Sequence, residues 1–269
     1  MALLSLVKRV SIVTGMYKPA RWLSRHARPS HLRAFRKDVE LFRSLIPEGA
    51  LCFDVGANIG AKSEALLDAR ARVVSFEPNP LVLPELLARC SHRAGWRMVQ
   101  AALGSSSAIG TLHAVENHGS SSLDEVWVHG CNEIATYYVP IVTFDAAIRC
   151  FGTPFYCKID VEGWELEVFL GLTESIPLIS FEFHLNERDI RKTLACLERL
   201  EQFGQSRINL TPAEDSTFHL EKWIPMQDFL AWFPGDLSRT LPGGHYGDIF
   251  VMNDAARQQH ASDDVAEDA

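Results

Sequence analysis

The chain has 269 residues, of which 47% are hydrophobic and 22% charged, and its mean hydropathy is −0.02. This composition is typical of a globular protein and excludes collagen-like, low-complexity and membrane-embedded classes. The net charge of −8 argues against nucleic acid as a partner, because neutralising phosphates requires an extended basic surface. The six cysteines are spread singly without a Cys-x-x-Cys pair, which predicts a reduced, cytoplasmic protein and gives no support for a structural zinc site. No metal ligands are predicted, and the sequence leaves open whether a divalent metal assists its function.

Residues 1–50 differ in charge from the rest of the chain, with ten Lys and Arg against three acidic residues. Apolar residues recur in steps of three and four between Leu32 and Ile46, which predicts a helix. We interpret residues 1–50 as an N-terminal helical basic segment. Its charge is typical of a solvated helix pair and is also compatible with self-association or peripheral contact with an anionic membrane. Lys8 and Arg9 interrupt the first apolar run, which is not typical of a cleaved signal peptide.

Short apolar runs alternate with helical segments from residue 51 onward. The predicted strands are 51–55, 72–76, 97–101, 155–159, 178–183 and 248–252, and the predicted helices are 61–69, 83–90, 164–170 and 187–203. This alternation predicts an α/β fold with a doubly wound, mostly parallel sheet in one domain, residues 51–253. A Ser- and His-rich insertion at 104–144 and an aromatic cap at 211–247 interrupt the pattern, and the acidic tail 254–269 is expected to be disordered.

The turn after the first predicted strand carries the spacing D-x-G-x-N-x-G, formed by Asp54, Gly56, Asn58 and Gly60. Glycines at such a junction let the backbone turn tightly and approach a ligand. The spacing differs from the dinucleotide fingerprint, and an acid at the strand end would repel a pyrophosphate but suits a cation. We therefore predict S-adenosylmethionine, which carries a sulfonium and an ammonium group, as the cofactor. A tight turn that binds no ligand is the alternative.

Acidic residues also end the later predicted strands. Glu77 ends the second strand, where an acid in a doubly wound fold accepts hydrogen bonds from ribose hydroxyls. Asp160 and Glu162 follow the strand at 155–159, and His184 follows the strand at 178–183, so we expect all three in one cleft. A histidine has a neutral fraction at pH 7. We predict His184 as the catalytic proton acceptor, although it could equally be structural, with Asp160 as a positioning group and Glu162 as a further candidate.

The blocks FDVGANIG, SFEPNP, VTFD, KIDVEGWE and FEFH, together with the serine cluster at 120–122, resemble the FkbM-type methyltransferase family over roughly residues 51–252. The resemblance implies a Rossmann-like class I methyltransferase with a β insertion after the third strand and a C-terminal antiparallel strand. It implies S-adenosylmethionine-dependent O-methylation of a sugar, polyketide or related metabolite. By the same resemblance, the site residues have these roles: Asp54, Gly56, Asn58 and Gly60 line the methionine end, Glu77 holds the ribose, Ala101 and Ala102 flank the adenine, and Asp160 lies near the methyl group.

Two other functions are weighed against this one. The first is a nicotinamide-dependent oxidoreductase on a related Rossmann fold, which Asp54 in place of the first glycine disfavours. The second is a cofactor-binding scaffold without turnover, which the intact block at 158–165 disfavours. The expected partner is a small-molecule or glycan acceptor.

Overall fold

The computed structural model describes residues 29–213, 215–233, 235, 237 and 245–254. Most of the predicted basic segment, residues 1–28, and nearly all of the predicted disordered tail, residues 255–269, lie outside the described residues.

The described chain contains strands on two sheets and helices on both faces of the larger sheet. The strands are β1 (Leu51–Val55), β2 (Arg72–Phe76), β3 (Trp96–Val99), β4 (Ala102–Gly104), β5 (Ala108–Val115), β6 (Glu133–Thr143), β7 (Tyr156–Ile159), β8 (Leu178–His184), β9 (Ser206–Pro212), β10 (Ile224–Pro225) and β11 (Tyr246–Asn253). The helices are α1 (Pro29–Leu45), α2 (Ala61–Asp68), α3 (Leu83–Cys90), α4 (Phe144–Phe151), α5 (Glu165–Leu170), α6 (Glu187–Glu201) and α7 (Met226–Trp232).

The larger sheet has the strand order β10-β9-β11-β8-β7-β1-β2-β3. The pairs β1–β2, β2–β3, β1–β7 and β7–β8 are parallel, and β11 runs antiparallel to both β8 and β9. This topology confirms the predicted doubly wound, mostly parallel sheet with a C-terminal antiparallel strand. The chain winds outward in one direction through β2 and β3 and in the other through β7 and β8. The crevice at this switch point is where open α/β sheets bind ligands.

Both faces of the sheet are covered by apolar side chains, which explains why its central strands are continuous apolar runs. Phe53 and Phe181 belong to the core on one face, and Phe42 and Tyr156 belong to the core on the other. Helix α1 buries Val39 and Phe42, Ile46 directly after it is also buried, and the rings of Phe42 and Tyr156 lie 5.6 Å apart. The second half of the basic segment is therefore part of the core.

The insertion forms a second, three-stranded sheet in the order β4-β6-β5, in which β5 and β6 are antiparallel. It confirms the predicted β insertion, but the third strand of the main sheet ends at Val99 rather than Ala101 because residues 102–104 pair with β6. The sequence patterns did not predict α4 or β9. In β9, Arg207 and Asn209 break the apolar run that marks the other inner strands.

None of the helices within the described residues has the length and apolar character that crossing a bilayer requires.

Candidate active site

A cavity opens at the carboxyl ends of β1, β2 and β7. The large sheet supplies its floor and the insertion supplies part of its wall. Its lining residues are Val55, Gly56, Asn58, Phe76, Glu77, Pro78, Asn79, Ala101, Ala102, Leu103, Leu112, His118, Gly119, Ser121, Ser122, Leu123, Asp160, Val161, Glu162 and Trp164. The cavity thus lies at the switch point that the topology identifies.

The turn after β1 needs glycine at Gly56 because the backbone there has a φ of 78° and a Cβ would lie 1.8 Å from the carbonyl oxygen of Asp160. The backbone N–H groups of Gly56 and Ala57 both donate to the carbonyl oxygen of Phe76, at 3.0 and 3.1 Å. Asn58 also has a left-handed backbone, with a φ of 50°. The turn is therefore fixed against the end of β2, and the ends of β1 and β7 are in close contact.

Glu77 is a buried carboxylate that organises this corner of the cavity. Its Oε2 accepts a hydrogen bond from the backbone N–H of Asn58 at 2.6 Å, and its Oε1 accepts one from that of Asn79 at 2.7 Å. Burial raises the pKa of Glu77 to about 7, although both backbone hydrogen bonds act in the opposite direction. Glu77 therefore shapes the turn and also faces the cavity, as the ribose assignment requires.

Two of the predicted cofactor residues do not line the cavity. Asp54 is buried and accepts a hydrogen bond from the Ser63 hydroxyl, and burial raises its pKa while Lys158 opposes the rise. Gly60 begins α2, and a Cβ there would lie 2.6 Å from Leu86 Cδ1, so it permits close packing of α2 and α3. The other predicted cofactor residues all line the cavity: Gly56, Asn58, Glu77, Ala101, Ala102 and Asp160.

Asp160 forms an ion pair with a buried lysine. Lys158 Nζ donates to Asp160 Oδ2 at 2.6 Å. Burial alone would lower the pKa of Lys158, but the carboxylates of Asp160, Asp54 and Asp248 raise it above its ordinary value. Lys158 therefore stays charged at physiological pH. It fixes one oxygen of the carboxylate that faces the cavity.

Three carboxylates meet where β7 and β8 end, since ligand oxygens of Asp160, Glu162 and Glu182 all lie within 4.8 Å of one another. Burial is the largest cause that raises the pKa values of Glu162 and Glu182, and the charge of Asp160 raises both further. Glu162 and Glu182 therefore retain protons at a pH where isolated glutamic acids are ionised. Its oxygen donors are also of the kind that Mg²⁺ binds, a possibility that the sequence analysis did not include.

His184 lines a smaller cavity beside the first one, together with Trp127, Glu182 and Lys192. Its Nε2 lies 3.1 Å from Glu182 Oε2, and its ring stacks on Tyr246 with the centroids 5.5 Å apart. Burial is the largest single cause and lowers the pKa of His184, but Glu182, Asp189 and Glu165 together raise it above its ordinary value. The structure thus brings Asp160 and Glu162 into the main cavity and places His184 next to it, in contact with the same acidic cluster.

The sequence analysis missed Lys158 and Trp127 as parts of this site. The position of Lys158 in the block KIDVEG was a signal for it, because a lysine inside an otherwise apolar strand needs buried carboxylate partners. Trp127 lies in the insertion, where no periodic pattern indicates which side chains face the cavity.

A family model described as "Methyltransferase FkbM domain" matches residues 54–224. The protein named "Hexuronic acid methyltransferase AglP" from Haloferax volcanii is 28% identical over 184 residues, which are 61% of this chain and 70% of the relative. Among solved structures, fibrillarin from Aeropyrum pernix with bound S-adenosyl-L-methionine is 12% identical with a TM-score of 0.43, over 77% of this chain and 68% of that one. A TehB-like methyltransferase from Corynebacterium glutamicum is also 12% identical with a TM-score of 0.42, over 87% of this chain and 99% of that one. Because the family model matches well over half of this chain, the chain belongs to the FkbM methyltransferase family.

Proposed function

We propose that this methyltransferase transfers the methyl group of S-adenosylmethionine to a hydroxyl oxygen of a sugar of the hexuronic acid class. The observation that supports this cofactor is the acidic lining of the main cavity. Glu77, Asp160 and Glu162 all line it, and its lining residues include no Lys or Arg. Such a cavity suits a cationic ligand without phosphate, whereas the pyrophosphate of a nicotinamide cofactor would lie beside acidic side chains with no Lys or Arg in the lining to pair with it.

The polar groups of the cavity support this ligand. Asn58 Oδ1 and Trp164 Nε1 are buried and have no hydrogen-bond partner among the described residues. Burying such groups without partners is costly, so a ligand with both donors and acceptors would stabilise the site. Glu77 keeps lone pairs that ribose hydroxyls can use, and the small side chains of Ala101 and Ala102 leave room for a flat ring.

When bound, S-adenosylmethionine supplies a methyl group activated by a positively charged sulfur. In the proposed reaction the acceptor oxygen forms a bond to the methyl carbon as the carbon–sulfur bond breaks, and the hydroxyl proton passes to the protein. The enzyme mostly aligns the reacting atoms. Asp160, held by Lys158, is the proposed positioning group. His184, paired with Glu182, is the proposed proton acceptor. Glu162 lines the cavity, and because burial and the neighbouring carboxylates raise its pKa, it is proposed to contact the acceptor as a protonated group.

The acceptor class is supported by the relative from Haloferax volcanii, whose name describes a hexuronic acid methyltransferase. Polyketide and other metabolite hydroxyls are the alternative acceptors.

The test begins with calorimetry of the purified full chain with S-adenosylhomocysteine and, separately, with NAD. We expect binding of the first alone. The protein is then incubated with S-adenosylmethionine and either methyl glucuronide or UDP-glucuronic acid, and the products are examined by mass spectrometry for one added methyl group. Methyl glucoside is the matched control without the carboxylate. Absence of S-adenosylhomocysteine binding would overturn the cofactor, and equal methylation of glucoside and glucuronide would overturn the hexuronic acid class.

A further inference from the structure

One short segment of the insertion, residues 122–127, which we call the strap, contacts the turn that follows β7. The Ser122 hydroxyl donates to the carbonyl oxygen of Glu162 at 2.7 Å. The indole N–H of Trp127 donates to Glu162 Oε2 at 3.1 Å. Two side chains from the strap therefore hold the main chain and the carboxyl group of the same residue.

The strap is also anchored to α6 from its middle. The carboxylate of Asp124 contacts both Arg188 and Lys192, and Lys192 Nζ also donates to the carbonyl oxygen of Gly163 at 2.7 Å. Burial acts to raise the pKa of Asp124, but these two cations hold it below its ordinary value. Asp124 is therefore an ionised anchor that joins the strap, α6 and the turn.

Glu162 needs such support because its conformation is unfavourable by itself. Its backbone lies in the left-handed region, with a φ of 56°, a conformation that residues other than glycine rarely adopt. Its carboxyl group also lies beside those of Asp160 and Glu182. Repulsion from the neighbouring carboxylates disfavours this position of the side chain, and the left-handed backbone is strained. A hydrogen-bond donor is therefore needed to hold the carboxyl group at the cavity.

The indole of Trp127 packs closely against the turn that follows β7. A Cβ at Gly163 would lie 2.7 Å from Trp127 Cε3, so the indole packs directly against the glycine. The edge of the ring also meets His184, with centroids 4.9 Å apart. A single side chain thus contacts the carboxyl group of Glu162, the backbone of the turn and the imidazole.

We propose that Trp127 is a positioning residue for methyl transfer, acting through Glu162: its indole N–H keeps the Glu162 carboxyl group directed into the cavity, where it contacts the acceptor. This proposal rests on the proposed function, since it assigns a role within the same site. The strap is then a part of the acceptor side of the active site and not only a covering loop. Because the Trp127 side chain is not among the residues that line the main cavity, we expect cofactor binding to be unaffected by loss of its indole N–H.

The contact is tested first without any acceptor. In a ¹H–¹⁵N spectrum of the full chain, the Trp127 indole signal is assigned by its loss in Trp127→Phe. We expect Glu162→Gln to shift this signal because the acceptor of its hydrogen bond changes. The indole signal of Trp96, which donates to the Ser75 hydroxyl at 2.8 Å, is the internal control and should stay in place. An unchanged Trp127 signal in Glu162→Gln would overturn the contact, whatever the reaction.

The role is tested by a double-mutant cycle in the methyl-transfer assay. We expect Trp127→Phe, which keeps a ring against Gly163 but removes the donor, to lower kcat roughly ten- to a hundred-fold with unchanged affinity for S-adenosylhomocysteine. In the Glu162→Gln background the same change should have almost no further effect, because Trp127 acts through Glu162. Trp223→Phe, a partly buried tryptophan outside both cavities, is the matched control and should combine additively with Glu162→Gln.

Additive effects of Trp127→Phe and Glu162→Gln would overturn the positioning role and leave Trp127 as a packing residue. If Trp127→Phe does not fold, Ser122→Ala, which removes the bond to the Glu162 carbonyl, is placed in the same cycle with the same expectation. Failure of the proposed function would give a different result. The wild-type protein would then bind no S-adenosylhomocysteine, while the Trp127 signal would still respond to Glu162→Gln.

Discussion

Lys158 and Asp54 lie side by side on neighbouring parallel strands, as register partners of β7 and β1. Both side chains are almost fully buried, with 4% and 1% exposed. Asp160 and Asp248 add two further carboxylates whose charge acts on the same ammonium group. Lys158 therefore compensates several acids at the edge of the sheet where the active site lies.

We expect Lys158→Met to lower the free energy of unfolding by about 3–5 kcal/mol, because removing one partner leaves buried carboxylates without compensation. Urea denaturation measures this loss. Lys37→Met is the matched control, since Lys37 forms an ion pair with Asp215 in which both side chains are about half exposed. Such surface pairs contribute roughly 0–1 kcal/mol. Similar losses in the two variants would contradict the role assigned to Lys158.

Glu77 predicts a pH dependence of stability. Its folded-state pKa of about 7 lies above the ordinary value of 4.5, with burial as the largest cause. Between these two values the unfolded chain releases the proton while the folded chain keeps it, so the contribution of Glu77 to stability falls as the pH rises through this window. The total fall is at most about 3 kcal/mol.

Denaturation curves at several pH values between 4.5 and 7 measure this contribution in the wild-type protein and in Glu77→Gln. The glutamine does not titrate, so we expect the stability of the variant to change less steeply with pH than that of the wild type. Parallel curves for the two proteins would show that Glu77 titrates normally in the folded state.

The same variant tests the ribose contact. We expect Glu77→Gln to weaken S-adenosylhomocysteine binding roughly ten- to a hundred-fold, because hydrogen bonds to a charged acceptor are worth about 1.5–3 kcal/mol. Calorimetry at pH 8, where the wild-type carboxyl group is ionised, gives the comparison. Since Glu77 also holds the turn through Asn58 and Asn79, melting of the ligand-free variant is measured alongside. Unchanged affinity would remove Glu77 from the cofactor site.

His184→Ala tests the proposed proton acceptor. We expect turnover to fall by about 10²–10⁴-fold, the usual range for a positioned proton transfer. Affinity for S-adenosylhomocysteine should not change, because His184 lies outside the lining of the main cavity. His219→Ala, a histidine in neither cavity lining, serves as the control. Near-normal turnover of His184→Ala would exclude His184 as the proton acceptor.

The fold could be predicted from the sequence because its central strands are buried on both faces and therefore stand out as apolar runs. The positions of the glycine-rich turn and of Glu77 could also be predicted. Glycine is the usual residue where the backbone is left-handed, and in this topology an acid at the end of a strand lies at the ligand crevice. Asp54 was assigned to the cavity, but its carboxylate accepts a hydrogen bond from Ser63. The alternation of side chains along a strand predicts which face of the sheet a residue lies on, but it does not predict whether its side chain extends into the cavity. Trp127 could not be found, since its contact with Glu162 joins residues 35 positions apart.

Truncation tests where the folded domain begins. Deleting residues 1–28 leaves the whole of α1, so we expect melting temperature and S-adenosylhomocysteine affinity to stay at their wild-type values, as a docking or self-association arm requires. Deleting residues 1–46 removes Val39, Phe42 and Ile46, which are at most 7% exposed, and uncovers the ring of Tyr156. At about 1.5–3 kcal/mol for each buried side chain, this loss is at least about 4 kcal/mol, a large part of the stability of a typical domain. The longer deletion should therefore yield aggregated protein without cofactor binding. Loss of binding already in the shorter deletion would show that residues 1–28 pack against the domain.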